Sequence, residues 1–142
     1  MPENTLEKII QKKIKKVDNL KKTIDLKFLE KLISENKTYI DFKSKIQNNL
    51  KNNKTSIVAE IKKASPSAGV IIENYNPVEI AKIYEYKKVT CLSVLTEEDF
   101  FLGNLEHISK IKNKIKLPIL CKDFLLISFK CLLLKVMVLM QF

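Results

Sequence analysis

A chain of 142 residues is long enough for one ordinary domain with a real core. Its formal net charge of +10 rests on 26 basic residues, every one of them Lys; base and phosphate recognition favours the planar fork of Arg, so nucleic acid is excluded as the partner, and A/T-rich codons for Lys, Ile and Asn account for the composition. Cys91, Cys121 and Cys131 have no metal-ligand spacing and no even pairing, which excludes a metal cluster or disulfide framework and fits a reducing cytoplasm.

The amino terminus, Met1 to Lys16, is charged from the start and lacks the apolar stretch of a secretory signal. Leu6, Ile9, Ile10, Ile14 and Val17 recur at helical spacing with Lys opposite, predicting an amphipathic helix. A second helical stretch runs through Phe28, Leu29, Leu32 and Ile33, and a third over about 40–50. These form an amino-terminal helical segment, residues 1–50, and the polar Lys51-Asn52-Asn53-Lys54 links it to the first strand.

Ile57-Val58-Ala59 opens an apolar, β-prone run that carries Glu60 and Lys62 and breaks at Ser65-Pro66-Ser67 and Gly69. Alternation along a strand sets Glu60 and Lys62 on one face, opposite Ile61. Asn76-Pro77-Val78-Glu79 is a helix start, with an Asn cap, Pro at the first helical position and Glu three after the cap. Ile80, Ala81, Ile83 and Tyr84 supply its buried stripe, and Lys87-Lys88 closes it without a glycine. A second strand covers about Val89–Leu95, Asn104 caps a helix carrying Leu105, Ile108 and Ile111, and a third strand covers about Ile119–Cys121. Strand and helix alternating at roughly thirty-residue spacing predict βαβ units, hence an α/β fold with a parallel sheet over residues 51–126.

Three motifs succeed one another at the strand ends: Glu60-Ile61-Lys62-Lys63-Ala64-Ser65-Pro66-Ser67; Cys91-Leu92-Ser93-Val94-Leu95-Thr96 with Phe100-Phe101 and Gly103; and Leu117-Pro118-Ile119-Leu120-Cys121-Lys122-Asp123-Phe124. In this order and spacing the chain resembles the indole-3-glycerol-phosphate synthase family over about residues 5–126. The resemblance implies a TIM (β/α)8 barrel. Such a barrel needs about 200–250 residues, so the chain holds its front part, about three βα units plus the amino-terminal helices.

The resemblance also implies a tryptophan-biosynthetic lyase that closes and decarboxylates 1-(2-carboxyphenylamino)-1-deoxyribulose 5-phosphate, a phosphorylated small molecule, in the cytoplasm and with no cofactor or metal. Lys122 matches the general acid, and a partly desolvated lysine among cations is suited to that task. Glu60 and Lys62 match a carboxylate and a lysine that bracket the substrate, Ser65 a serine at its edge, and Phe101 and Phe124 the aromatics of the anthranilate pocket. Read without the family, Lys122–Asp123 is a solvated pair, Glu60–Lys62 an exposed ion pair, and the Phe residues are core. His107, in a helix outside the sheet, has no catalytic role. The family's later glutamate, its asparagine and its phosphate-cradling loops have no counterpart here, so these residues alone are expected to be inactive. A non-enzymatic, Lys-rich binding fragment is the alternative, and the scatter of the lysines argues against it.

From Ile127 to Phe142 the pattern fails: no cap, no turn residues, and too many Lys for a membrane span of about 20 apolar residues. Read one base out of frame, Met137-Val138 forces Gly and Met140-Gln141 forces Ala, and the neighbours permit the family's Gly-Ala-Asp-Ala-Ile. The expectation is a one-base deletion near Leu125–Leu126, with a natural hydrophobic tail as the alternative, and sequencing the gene decides between them.

Overall fold

A computed structural model describes residues 4–35 and 40–126. They fall into two compact units, one containing residues 4–35 and 124–126, the other residues 40–123. The aberrant tail expected over 127–142 lies outside the described residues.

The first unit holds α1 (Thr5–Thr23) and α2 (Leu26–Glu35). Asn4 caps α1 by accepting the Leu6 N–H at 3.1 Å, and Lys21 and Lys22 sit in the last turn, where cations favour the carbonyl end. The buried line of α1 is Ile9, Lys13 and Val17, four residues apart, whereas Leu6 and Ile14 of the expected stripe are exposed. Lys13 is almost wholly buried in this line, at 3 % exposure. The helix also runs six residues past Val17, ending where the Thr23 hydroxyl returns to the Leu20 carbonyl.

The second unit opens with α3 (Phe42–Lys51), capped by Asp41, whose carboxylate accepts both the Ser44 hydroxyl and its N–H. The Ser44 hydroxyl holds this exposed carboxyl below its ordinary value. Near the end of α3, the Asn49 amide donates to the hydroxyls of Ser56 and Thr90, and Thr90 in turn accepts the Ile57 N–H at 2.9 Å. These bonds set where the first strand begins.

Three parallel strands, β1 (Val58–Ile61), β4 (Cys91–Leu95) and β5 (Ile119–Lys122), lie in the order β1-β4-β5. They match the expected positions to within about two residues. β4 is central and buried throughout, as a strand flanked on both sides should be. Glu60 pairs with Ser93 and Leu95 with Lys122, so Val58, Glu60, Cys91, Ser93, Leu95, Leu120 and Lys122 share one face. Ile61, Leu92 and Val94 on the opposite face are buried beside α4 (Pro77–Tyr86) and α5 (Leu105–Lys112), whose Ala81, Ile108 and Ile111 are also buried. Asn76 and Asn104 cap these helices as the sequence predicts.

Between β1 and α4 lies an element absent from the expectation, an antiparallel hairpin of β2 (Ala64–Ser65) and β3 (Gly69–Val70). Ser65-Pro66-Ser67, read as a simple break, spans the end of β2 and the start of the turn, which is Pro66-Ser67-Ala68. At the end of α4, Lys88 takes the left-handed conformation (φ 60°) while its N–H reaches Glu85 and that of Val89 reaches Tyr84. That is the closure a C-terminal glycine usually provides. Cys91 is fully buried, and burial pushes its thiol up, so it behaves as a small hydrophobe.

Candidate active site

β1 presents Glu60 and then, just past its end, Lys62 on the same side. β5 ends on Lys122. Parallel pairing through β4 brings all three to the carboxyl end of the sheet. Lys62 Nζ lies 2.8 Å from Glu60 Oε1, and Lys122 Nζ lies 2.6 Å from Glu60 Oε2. One carboxylate thus holds two ammonium groups from strands that are not neighbours. Partial burial alone would push the Glu60 carboxyl up, but hydrogen bonds from Lys122 and then Lys62 outweigh it and hold the group below its ordinary value.

Lys122 is therefore not in the solvated pair with Asp123 that its sequence neighbour invites. The Asp123 carboxylate accepts the Thr96 hydroxyl at 3.1 Å, and the Thr96 N–H donates to the Lys122 carbonyl at 3.1 Å. These two bonds tie the end of β5 to the end of β4 and fix where the Lys122 side chain starts. Its side chain is 55 % exposed, and its Nζ is positioned by the Glu60 carboxylate. The Tyr84 hydroxyl anchors the same end of β1 by donating to the Glu60 carbonyl.

The remaining expected site residues are placed differently. Ser65 Oγ accepts the Ala68 N–H at 3.1 Å within the hairpin turn. Phe101 is half-buried in the connection between β4 and α5. Phe124, also half-buried, comes two residues after β5 and belongs to the first unit. His107 packs against Tyr75 with ring centroids 5.4 Å apart in a cleft of about 390 Å³ that Lys63 and Lys110 also line. Burial, with Lys110 nearby, lowers its pKa.

A residue the sequence concealed is Glu97, 1 % exposed. Its carboxylate accepts the N–H groups of Asp99, Phe100 and Phe101 at 3.3, 2.7 and 3.1 Å. In Glu97-Glu98-Asp99 it reads as one of three solvated acids, and only the adjoining Phe100-Phe101 hints that the run turns inward. Among the described residues, no group of three or more His, Cys, Asp or Glu could hold a metal, and no helix is long and apolar enough to cross a membrane.

A family model described as indole-3-glycerol phosphate synthase matches residues 6–133, which extends seven residues past Leu126. A protein named indole-3-glycerol phosphate synthase from Microcystis aeruginosa is 41% identical over 131 residues, covering 91% of this chain and 43% of its own. The one from Trichodesmium erythraeum is 40% identical over 129 residues (91% and 43%), and one from Prochlorococcus marinus 41% over 128 (89% and 42%). The chain thus spans less than half the length of these relatives. Three parallel strands, with a helix packed after each of the first two, are the front part of a (β/α)8 barrel, and the charged residues stand at the strand ends where such barrels carry their sites. By the span of the family match, the identity to these relatives and the parallel βαβ frame, this chain belongs to the indole-3-glycerol phosphate synthase family.

Proposed function

We propose that this chain carries the cationic half of a lyase site that closes an indole ring on 1-(2-carboxyphenylamino)-1-deoxyribulose 5-phosphate, a cytoplasmic step of tryptophan biosynthesis. The observation that carries the reading is the sharing of the Glu60 carboxylate by Lys62 and Lys122. Both lysine Nζ atoms converge on one carboxylate, so an arriving substrate carboxylate can replace Glu60 on one of them.

In this reading Lys62 holds the substrate carboxylate. The ring carbon bearing that carboxylate attacks the ribulose carbonyl carbon, and the carbonyl oxygen takes a proton from the Lys122 ammonium. Carbon dioxide then leaves with its bond electrons returned to the ring; the new hydroxyl takes up a proton and departs as water while the methylene carbon beside the nitrogen gives up a proton, which completes the indole. Glu60 re-pairs the lysines and takes part in proton return. The motif match alone assigns Ser65 to the substrate's edge and gives Phe101 and Phe124 each an aryl-binding role. The 142 residues on their own turn over no substrate, because the base and the phosphate cradle, each commonly worth orders of magnitude in rate, are not among them.

The test joins residues 6–126 to the remainder of the Microcystis aeruginosa relative. The chimera should form indoleglycerol phosphate, monitored by product fluorescence, and Lys122→Ala should lower its kcat by about a hundredfold or more. A folded chimera whose turnover ignores Lys122→Ala would overturn the assignment, as would clear turnover by the 142-residue chain alone.

A further inference from the structure

We propose that Glu97 is the positioning residue of the aryl pocket, holding Phe101 in place from beneath the connection between β4 and α5. The proposal rests on the reading of Phe101 as an aryl-pocket residue.

The geometry is that of an internal anion seat. Three successive backbone N–H groups, from Asp99, Phe100 and Phe101, converge on one buried carboxylate, with both oxygens engaged. The Gly103 N–H closes the turn from the other side by donating to the Glu97 carbonyl at 2.7 Å. Leu102 between them takes a left-handed conformation (φ 50°), which a leucine adopts only when its surroundings force it. The whole turn folds back onto β4: a Cβ at Gly103 would collide with the Leu95 carbonyl oxygen.

A loop that needed only to connect a strand to a helix could turn on Asn, Ser or Gly in solvent. Burying a carboxylate is expensive, and charge-assisted bonds from its own loop return that cost as rigidity. The residue made rigid is Phe101, whose own N–H is one of the three donors. It lies beyond β4 at the same end of the sheet at which Lys122 is tied to Thr96. Glu97 therefore acts on substrate only through the aromatic it aims, as a determinant of affinity for the aryl group.

Two measurements test this. In the full 142-residue chain, Glu97→Ala and the isosteric Glu97→Gln should speed hydrogen exchange at the amides of Phe100 and Phe101 by about tenfold or more while Leu92–Leu95 keep their protection. In the chimera, Glu97→Ala should raise KM by about tenfold with most of kcat retained. The double variant with Phe101→Ala should be no worse than Phe101→Ala alone. If Glu97→Ala does not fold, the Gln variant carries the same expectation at smaller size. Unchanged KM, or losses that simply add, would overturn the proposal while Lys122→Ala still abolished turnover. Loss of the Lys122 effect would instead overturn the reading on which it rests.

Discussion

Two connections leave the same end of the sheet, and they are built on opposite plans. Residues 62–76, from β1 to α4, run through an exposed hairpin held by backbone pairing, by the Ser65 hydroxyl on Ala68, and by Ile71 and Ile72 N–H groups on the Lys63 carbonyl. Residues 96–104, from β4 to α5, wrap around a buried carboxylate. The chain has only two glycines, and each connection holds one. Gly69 has a positive φ of 64° with nothing near a would-be Cβ, so it serves conformation in an open turn. Gly103 has no such φ but no room, so it serves close approach of one backbone to another. A loop pinned from inside is limited by volume, and a loop that closes on itself is limited by torsion.

The sharpest way to break that contrast is to add one methyl at each glycine. Gly103→Ala drives a Cβ onto backbone atoms of Leu95 and Glu97, which cannot rotate away, and should cost about 3 kcal/mol by displacing the turn. Gly69→Ala meets no atom and should cost about 1 kcal/mol, the left-handed penalty alone. Urea unfolding of the 142-residue chain compares them directly. Equal losses would mean that both loops relax and that volume does not govern the 96–104 turn.

The same contrast separates what was legible in the sequence from what was not. Strand positions and both Asn caps are readable because they depend on local pattern and on a side chain bonding to backbone two or three residues away. Glu60 and Lys62 on one face follow from alternation, and Lys122 joins them because parallel strands in βαβ units present the same end. The hairpin escaped because two-residue strands carry no periodicity, and Pro with two Ser reads equally well as a plain break. Glu97 escaped because its partners are backbone amides, which every residue has, so nothing in the letters distinguishes it from the exposed Glu98. Lys13 on the buried line of α1 shows the limit of polarity as a guide: its charge reads as a solvated face, yet the residue is 3 % exposed.

A substitution in the other direction sharpens the torsional half of the comparison. Lys88 holds φ 60° at the end of α4 without being a glycine. The bonds from Lys88 N–H to Glu85 and from Val89 N–H to Tyr84 are already made, so Lys88→Gly removes strain without changing a partner. It should stabilise the chain by about 1 kcal/mol, less a few tenths for the added freedom of the unfolded state. A rise in the urea midpoint at unchanged slope is the expected signature. No gain would show that left-handed torsion is cheap in this fold, and torsion would then no longer explain the glycine at position 69.

The smallest effect concerns the carboxylate at the start of the exposed connection. Glu60 is bound by side-chain ammonium groups near solvent, whereas Glu97 is bound by backbone amides out of it. Hydrogen bonds from Lys122 and Lys62 overcome the upward push of burial, so Glu60 should titrate below the ordinary 4.5 of a glutamate. A carboxyl whose folded value lies below its unfolded one binds fewer protons when folded. Its contribution to stability is therefore fully present above the unfolded value and lost as pH falls through the folded one. The amount is small, since solvent screens a pair that is about a third exposed. A carbon-detected carboxyl titration of the folded chain should place the Glu60 midpoint under 4.5, and Lys122→Ala should raise it, because burial stays while one of two donors goes. Glu60→Gln should flatten that stretch of the stability-against-pH curve. A midpoint at or above 4.5 would mean that the two lysines do not share Glu60 in solution, and the convergence on which the proposed site depends would fail with it.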